Sequence, residues 1–206
     1  MPNIDVSIII INFNTVKMTS DCIGSLFSVK SSILFEIILV DNGSSDLSRE
    51  VFSNDERINY IFLSENLGFG AANNIGVKNA SGKYLLFLNS DTYLTADLLS
   101  KFFNFCENKR SENIGAVGAC LVSSDGVDVQ SFGEFPSSKR LYRRLIESTK
   151  MANIISYDDN IYVNIDRNNY AEVDFLSGAD FNAIRASINF LCTPMIFLKE
   201  IYLTLD

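Results

Sequence analysis

Tyr84-Leu85-Leu86-Phe87-Leu88-Asn89-Ser90-Asp91 is an apolar run of strand length that ends abruptly in an amide, a hydroxyl and a carboxylate. Five consecutive apolar residues without polar alternation suit a strand covered on both faces, as in a parallel sheet. A carboxylate two residues after an amide at the end of such a strand can hold a divalent cation, which in turn can hold a diphosphate. An Asp in this position also makes an ordinary helix cap or turn. The triplet gains weight because two earlier strands end in polar clusters of similar character.

Those strands are Val6-Ser7-Ile8-Ile9-Ile10-Ile11, broken by Asn12-Phe13-Asn14-Thr15, and Glu36-Ile37-Ile38-Leu39-Val40, closed by Asp41-Asn42-Gly43-Ser44-Ser45-Asp46. Ile58-Asn59-Tyr60-Ile61-Phe62-Leu63 reads as a third strand, followed by Ser64-Glu65-Asn66-Leu67-Gly68-Phe69-Gly70. Between them, Cys22, Ile23, Leu26 and Phe27 fall at helical spacing over 17–29. A short helix is expected to reach Phe52, and the small residues of 71–80 suit a closely packed one. Segment 96–107 carries Leu98, Leu99, Phe102, Phe103 and Cys106 inward, with Thr95 as N-cap. Segment 114–122 reads as a strand and Ser123-Ser124-Asp125-Gly126 as a turn. Alternating strands and helices predict an α/β fold, a mainly parallel central sheet with helices on both faces. Ligands of such sheets sit beyond the carboxyl ends of the strands, where the polar clusters fall.

A chain of 206 residues with 47% hydrophobic content suits one α/β domain with a sizeable core. A formal charge of −8 argues against a nucleic-acid binder, though not against a nucleotide ligand. No apolar run reaches bilayer length, and Pro2, Asn3 and Asp5 give no basic signal-peptide start, so the expected location is cytoplasmic. The 4 cysteines show no CxxC spacing and read as core thiols. The absence of histidine removes Ser-His-Asp and Cys-His catalysis and His-ligated zinc. A general base must then be a carboxylate, or else Lys, Tyr or Cys.

Beyond residue 127 the pattern fades. Lys139-Arg140-Leu141-Tyr142-Arg143-Arg144-Leu145 is a basic helical stretch, 156–169 a polar loop, and Val173-Asp174-Phe175-Leu176-Ser177-Gly178-Ala179 is strand-like again. The cations of 139–144 suit a solvated helix face, or peripheral contact with anionic lipid at the inner face of the cell membrane. No internal repeat or clean boundary is visible, so 1–206 is read as a single domain.

Several residues carry candidate chemistry. Asp41 can accept hydrogen bonds from a base edge or a ribose, while Ser44, Ser45 and Asp46 read as turn and cap. The glycines of 66–70 allow positive φ and close backbone approach to a ligand. Asn73 and Asn74 can cap, pack or touch a ligand. Asp91 is the metal candidate, with Asn89 orienting it or touching a sugar.

The motifs Val6-Ser7-Ile8-Ile9-Ile10-Ile11-Asn12-Phe13-Asn14, Ile38-Leu39-Val40-Asp41-Asn42-Gly43-Ser44-Ser45-Asp46, Asn66-Leu67-Gly68-Phe69-Gly70-Ala71-Ala72-Asn73-Asn74 and Leu86-Phe87-Leu88-Asn89-Ser90-Asp91-Thr92 resemble the family 2 inverting glycosyltransferases. The Asn-Ser-Asp form looks most like the rhamnosyltransferase branch that builds bacterial O-antigens (lipopolysaccharide) and capsules. The resemblance implies a GT-A, Rossmann-like fold that binds a nucleotide-diphospho-sugar, dTDP-rhamnose in that branch, with Mg2+ or Mn2+. It implies donor contacts from Asn12, Asn14, Asp41, Asn66, Gly68, Asn73 and Asn89, and metal ligation by Asp91. Residues 1–125 would form the donor half and 126–206 an incomplete acceptor half, with 175–179 lining the acceptor side. The cation would offset charge on the departing diphosphate while a carboxylate deprotonates the hydroxyl of a saccharide or lipid-linked acceptor, inverting C1.

The tail departs from the family pattern. The family's acidic motif aligns with Lys199-Glu200-Ile201-Tyr202, so Glu200 falls on the base position while Lys199 and Tyr202 replace acids. The interval before Glu200 is compressed, and the helices usual after it are missing from this sequence. A catalytically inactive remnant that only binds nucleoside diphosphate is therefore a second reading. A nucleotidyltransferase is a third, disfavoured because no Gly-rich basic segment follows the first strand.

Overall fold

The structure, a computed structural model, describes residues 4–108, 116–118, 121–123, 125–129, 132–133, 175–176, 186–188 and 195–198. Segments 139–144 and 156–169, and Glu200, lie outside them.

Nine elements make up the continuous part: β1 (Val6–Asn12), α1 (Val16–Ser28), β2 (Phe35–Asp41), α2 (Ser48–Phe52), β3 (Asn59–Phe62), α3 (Phe69–Lys78), β4 (Tyr84–Asn89), β5 (Thr92–Leu94) and α4 (Leu98–Asn108). Short strands follow: β6 (Ala116–Val117), β7 (Leu121–Val122), β8 (Asp128–Val129), β9 (Phe132–Gly133), β10 (Phe175–Leu176), β11 (Ala186–Ile188) and β12 (Met195–Leu198). The main sheet has the order β3-β2-β1-β4-β12-β6. Its first four strands are parallel, and β12 runs antiparallel to β4 and β6. This is the GT-A, Rossmann-like arrangement expected.

The unalternating strands work because both faces are covered. From β1, Val6, Ile8 and Ile10 join Cys22, Ile23 and Leu26 of α1 and Leu98, Leu99 and Phe102 of α4 in one core. Ile9 goes to the other face with Ile38, Val40 and Leu85, under Ala72 and Val77 of α3. The small residues of α3 are what let it sit so close: a Cβ at Gly76 would lie 2.5 Å from Ile9 Cγ2.

Three local expectations change. Segment 114–122 is not one strand: β6 lies in the main sheet while β7 pairs with β8 as a separate antiparallel ribbon. Helix α4 is capped by Asp97, whose Oδ1 accepts the Ser100 N–H at 3.0 Å, rather than by Thr95. Immediately after Asp91 comes an unexpected strand, β5, which pairs with β11. Contacts divide the chain into two compact units, Met1–Ser131 with Gly178–Asp206, and Phe132–Ser177. In the second, β10 pairs antiparallel with β9.

Candidate functional site

Register brings the polar strand ends together. Asn12 lies opposite Asp41, and Ile11 opposite Asn89, so β2, β1 and β4 finish side by side. Strand spacing puts the backbones of Asp41 and Asn89 about 10 Å apart, with β1 between them.

Asn12 is the hub of this rim. Its side chain donates to Ser44 Oγ (3.0 Å) and Ser48 Oγ (2.9 Å), and accepts from Thr15 (2.9 Å) and Thr19 (2.7 Å). Those four bonds match the full capacity of a primary amide, and the residue is 0% exposed. Asn12 was expected to touch the donor; with no free donor, acceptor or surface, it ties the β1–α1 connection to the loop after β2. Asn14 stays exposed in a left-handed conformation (φ 55°), which Asn tolerates. Its Oδ1 accepts the Ser45 N–H at 2.8 Å, and its own N–H donates to Ser44 Oγ.

Asp41 is also 0% exposed. Oδ1 accepts the Ser44 N–H (2.9 Å) and Oδ2 the Tyr60 hydroxyl (2.7 Å). Burial, and then that bond to Asp41, push the Tyr60 phenol well above its usual range, so it remains a proton donor. Each oxygen of the Asp41 carboxylate thus accepts one hydrogen bond from within the protein, which fixes its orientation at the end of β2. The expected turn and cap roles of Ser44 and Asp46 hold: Asp46 accepts the N–H groups of Ser48 (3.0 Å) and, across the rim, Val16 (3.1 Å).

Sequence reasoning passed over Asn42 and Gly43, which join this loop to the glycine-bearing one. Buried Asn42 donates to Asn66 Oδ1 and accepts the Leu67 N–H, both at 2.9 Å. Asn66 Oδ1 also accepts the Gly68 N–H, so Asn66 shapes the start of α3. Gly43 has φ +80°, and a Cβ there would lie 2.6 Å from the Glu65 carbonyl carbon. The Asn-Gly pair was the available signal, since it marks a tight left-handed turn. Gly68 (φ +85°) has open space where a side chain would stand, as the expected close ligand approach requires. Asn73 does not face that space: it is 4% exposed and donates to the Phe69 carbonyl one turn back.

At the third strand end, Asn89 is half-buried and its carbonyl accepts the Cys22 thiol at 3.7 Å. Ser90 Oγ lies 3.3 Å from Thr15 Oγ1. Burial pushes the Asp91 carboxyl above its usual range, countered only in part by its own backbone N–H. Burial and then the Asp91 charge push the Cys22 thiol far up. Among the described residues no three His, Cys, Asp or Glu side chains converge to form a protein-only metal cage. A single carboxylate fits a hard cation such as Mg2+, which usually takes one or two carboxylates, phosphate oxygens and water. Among the described residues no helix is long and apolar enough to cross a membrane.

Two relatives share much of this stretch. An uncharacterized glycosyltransferase of Haemophilus influenzae is 43% identical over 74 residues, 34% of this chain and 30% of its own length. A Bacillus subtilis glycosyltransferase assigned to teichuronic acid biosynthesis, TuaG, is 32% identical over 137 residues, 65% of this chain and 54% of its own length. The chain thus spans about half, or less, of the length of these two relatives. Among solved structures, S. aureus TarS 1-349 superposes with a TM-score of 0.49 and 21% identity, over 64% of this chain and 42% of that one. The family model "Glycosyl transferase family 2" matches residues 7–167, and the chain belongs to that family.

Proposed function

We propose that the rim formed by β1, β2 and β4 binds the diphosphate of a nucleotide-activated sugar through a divalent cation on Asp91. The sugar passes, with inversion, to a saccharide acceptor of a bacterial surface polymer. One observation carries this reading: parallel register sets three polar strand ends side by side, with Asp91 two residues beyond the last. Membership in family 2 supplies the reaction class, and the teichuronic acid assignment of TuaG supports the polymer class.

In this reading Mg2+ or Mn2+ lowers the cost of charge building on the departing nucleoside diphosphate. Asn66 and Gly68 hold an open backbone platform, Asn14 and Asn89 add donor contacts from the ends of β1 and β4, and exposed Phe13 offers an apolar face to the base. Asn12, Asp41 and Asn73 act from beneath, as supports. Without histidine in the chain, the acceptor hydroxyl loses its proton to a carboxylate, a role we assign to Glu200. The donor is a UDP- or dTDP-sugar, with dTDP-rhamnose the candidate that the Asn-Ser-Asp form supports.

The test is nucleoside diphosphate release from a panel of UDP-, GDP- and dTDP-sugars with Mn2+. One donor class is expected to be consumed, and Asp91→Asn to slow it by roughly a hundredfold or more. A panel that stays intact, together with an Asp91→Asn protein indistinguishable from wild type, defeats the proposal.

A further inference from the structure

Thr15 stands at the N-cap of α1, yet its side chain makes no capping hydrogen bond. Thr at an N-cap ordinarily accepts an N–H from the first turn. The N–H of Val16, the first helical residue, is held by Asp46, reaching across from the loop after β2. Thr15 uses its hydroxyl elsewhere. Its single proton goes to Asn12 Oδ1 (2.9 Å), and Thr19 gives its own proton to the same oxygen (2.7 Å). In the 3.3 Å contact between Thr15 Oγ1 and Ser90 Oγ the donor must therefore be Ser90. A continuous path results: Ser90 to Thr15 to Asn12 to Ser44, whose N–H holds Asp41.

We infer that Thr15 is a positioning residue, which locks the Ser90-Asp91 turn to the loop after β2. The proposed cation site is thus held in place relative to the proposed nucleoside end. The inference rests on the donor-site reading above. Thr15 touches no ligand; it acts through Ser90, the backbone neighbour of Asp91.

The experiment is calorimetric binding of UDP and of dTDP to the full chain, each with and without Mn2+. The readout is the Mn2+ increment, the ratio of the two dissociation constants. Thr15→Val removes the bridging hydroxyl at nearly constant volume; Ser90→Ala removes the other end and leaves the helix start intact. Each is expected to cut the increment roughly three- to tenfold, the worth of one hydrogen bond. Mn2+-free affinity should not change, and Thr15→Ser should restore the increment. Variants that keep the increment overturn the inference alone, as do variants that lose Mn2+-free affinity in equal measure. A wild-type chain without any Mn2+ increment overturns the donor-site reading and this inference together. If Thr15→Val does not fold, Ser90→Ala decides.

Discussion

Replacing Gly43 by Ala should be among the most damaging single-methyl changes in this chain, and Gly68 provides its internal control. Both glycines sit at nearly the same positive φ, +80° and +85°. An L-residue at such a φ costs about 1–3 kcal/mol from backbone strain alone, and Gly68, at ψ 163°, is in a region that glycine almost alone occupies. At Gly68 the added Cβ meets nothing within 4 Å, so that strain is the whole expected cost. At Gly43 it meets the Glu65 carbonyl carbon at 2.6 Å, and Asn66 N and Glu65 Cα at 2.9 Å. These are backbone atoms, which cannot rotate aside. Forcing them apart adds the usual overpacking cost, about 1–3 kcal/mol. Gly43→Ala is therefore expected to lose about 2–6 kcal/mol and Gly68→Ala about 1–3 kcal/mol. The displaced segment carries Asn66 and Leu67, both bound by Asn42, so the rim should loosen along with the fold. Urea unfolding followed by circular dichroism gives both values by linear extrapolation. Equal losses at the two positions would refute the close approach of the two loops.

Two further outcomes follow from the same geometry. Gly24 is exposed inside α1 with nothing within 4 Å of a built Cβ, so Gly24→Ala should stabilise the chain by about 1 kcal/mol, read in the same urea assay. Burial pushes the Glu36 carboxyl up, but hydrogen bonds from the Ser7 hydroxyl and from the Ser81 N–H and hydroxyl, with the nearby Gly82 N–H that donates to Ser7 Oγ, outweigh it and leave it below its usual value of 4.5. A depressed folded pKa contributes stability that is present above 4.5 and lost as pH falls through the folded value. The stability gap between wild type and Glu36→Gln should therefore be constant near neutrality and close in acid below about pH 4. A gap of the same size throughout would remove Glu36 as the tie between β1, β2 and the turn before β4.

Strands β1, β2 and β4 were legible because each is buried on both faces and therefore carries an apolar run. The parallel sheet and the location of a polar rim followed from helix–strand alternation. What the residues at the rim do was less legible. Asn12 and Asp41 have the chemistry of ligand contacts, but the same atoms can equally close a network within the protein. That they close such a network is visible only in their hydrogen bonds to segments distant in sequence. The approach of Gly43 to Glu65 and the pairing of β5 with β11 are contacts between distant segments, which no local pattern encodes. Thr95 against Asp97 as the cap of α4 was a choice between two good capping residues two positions apart, within the ordinary slack of helix ends.

The rim is built almost wholly from neutral amides and hydroxyls: Asn12, Asn14, Asn42, Asn66, Thr15, Ser44, Ser48 and Ser90. The ion pairs among the described residues, Arg57 with Asp55 and Lys83 with Glu107, lie away from it. That choice has an electrostatic consequence. A neutral, mutually satisfied network fixes geometry without adding counter-charge, so it leaves the half-buried Asp91 destabilised as an anion, in keeping with its raised pKa. A fixed Lys or Arg beside Asp91 would stabilise the carboxylate and compete with a metal for it. Without one among the described rim residues, the desolvated carboxylate suits the small cation of the proposed donor site, which would restore to Asp91 the stabilisation that burial removed. In the proposed donor site the same logic gives Asp41 and Asp91 different parts. Asp41 accepts the Ser44 N–H and the Tyr60 hydroxyl, whereas Asp91, for which its own backbone N–H is the donor among the described residues, would be the one to recruit the cation.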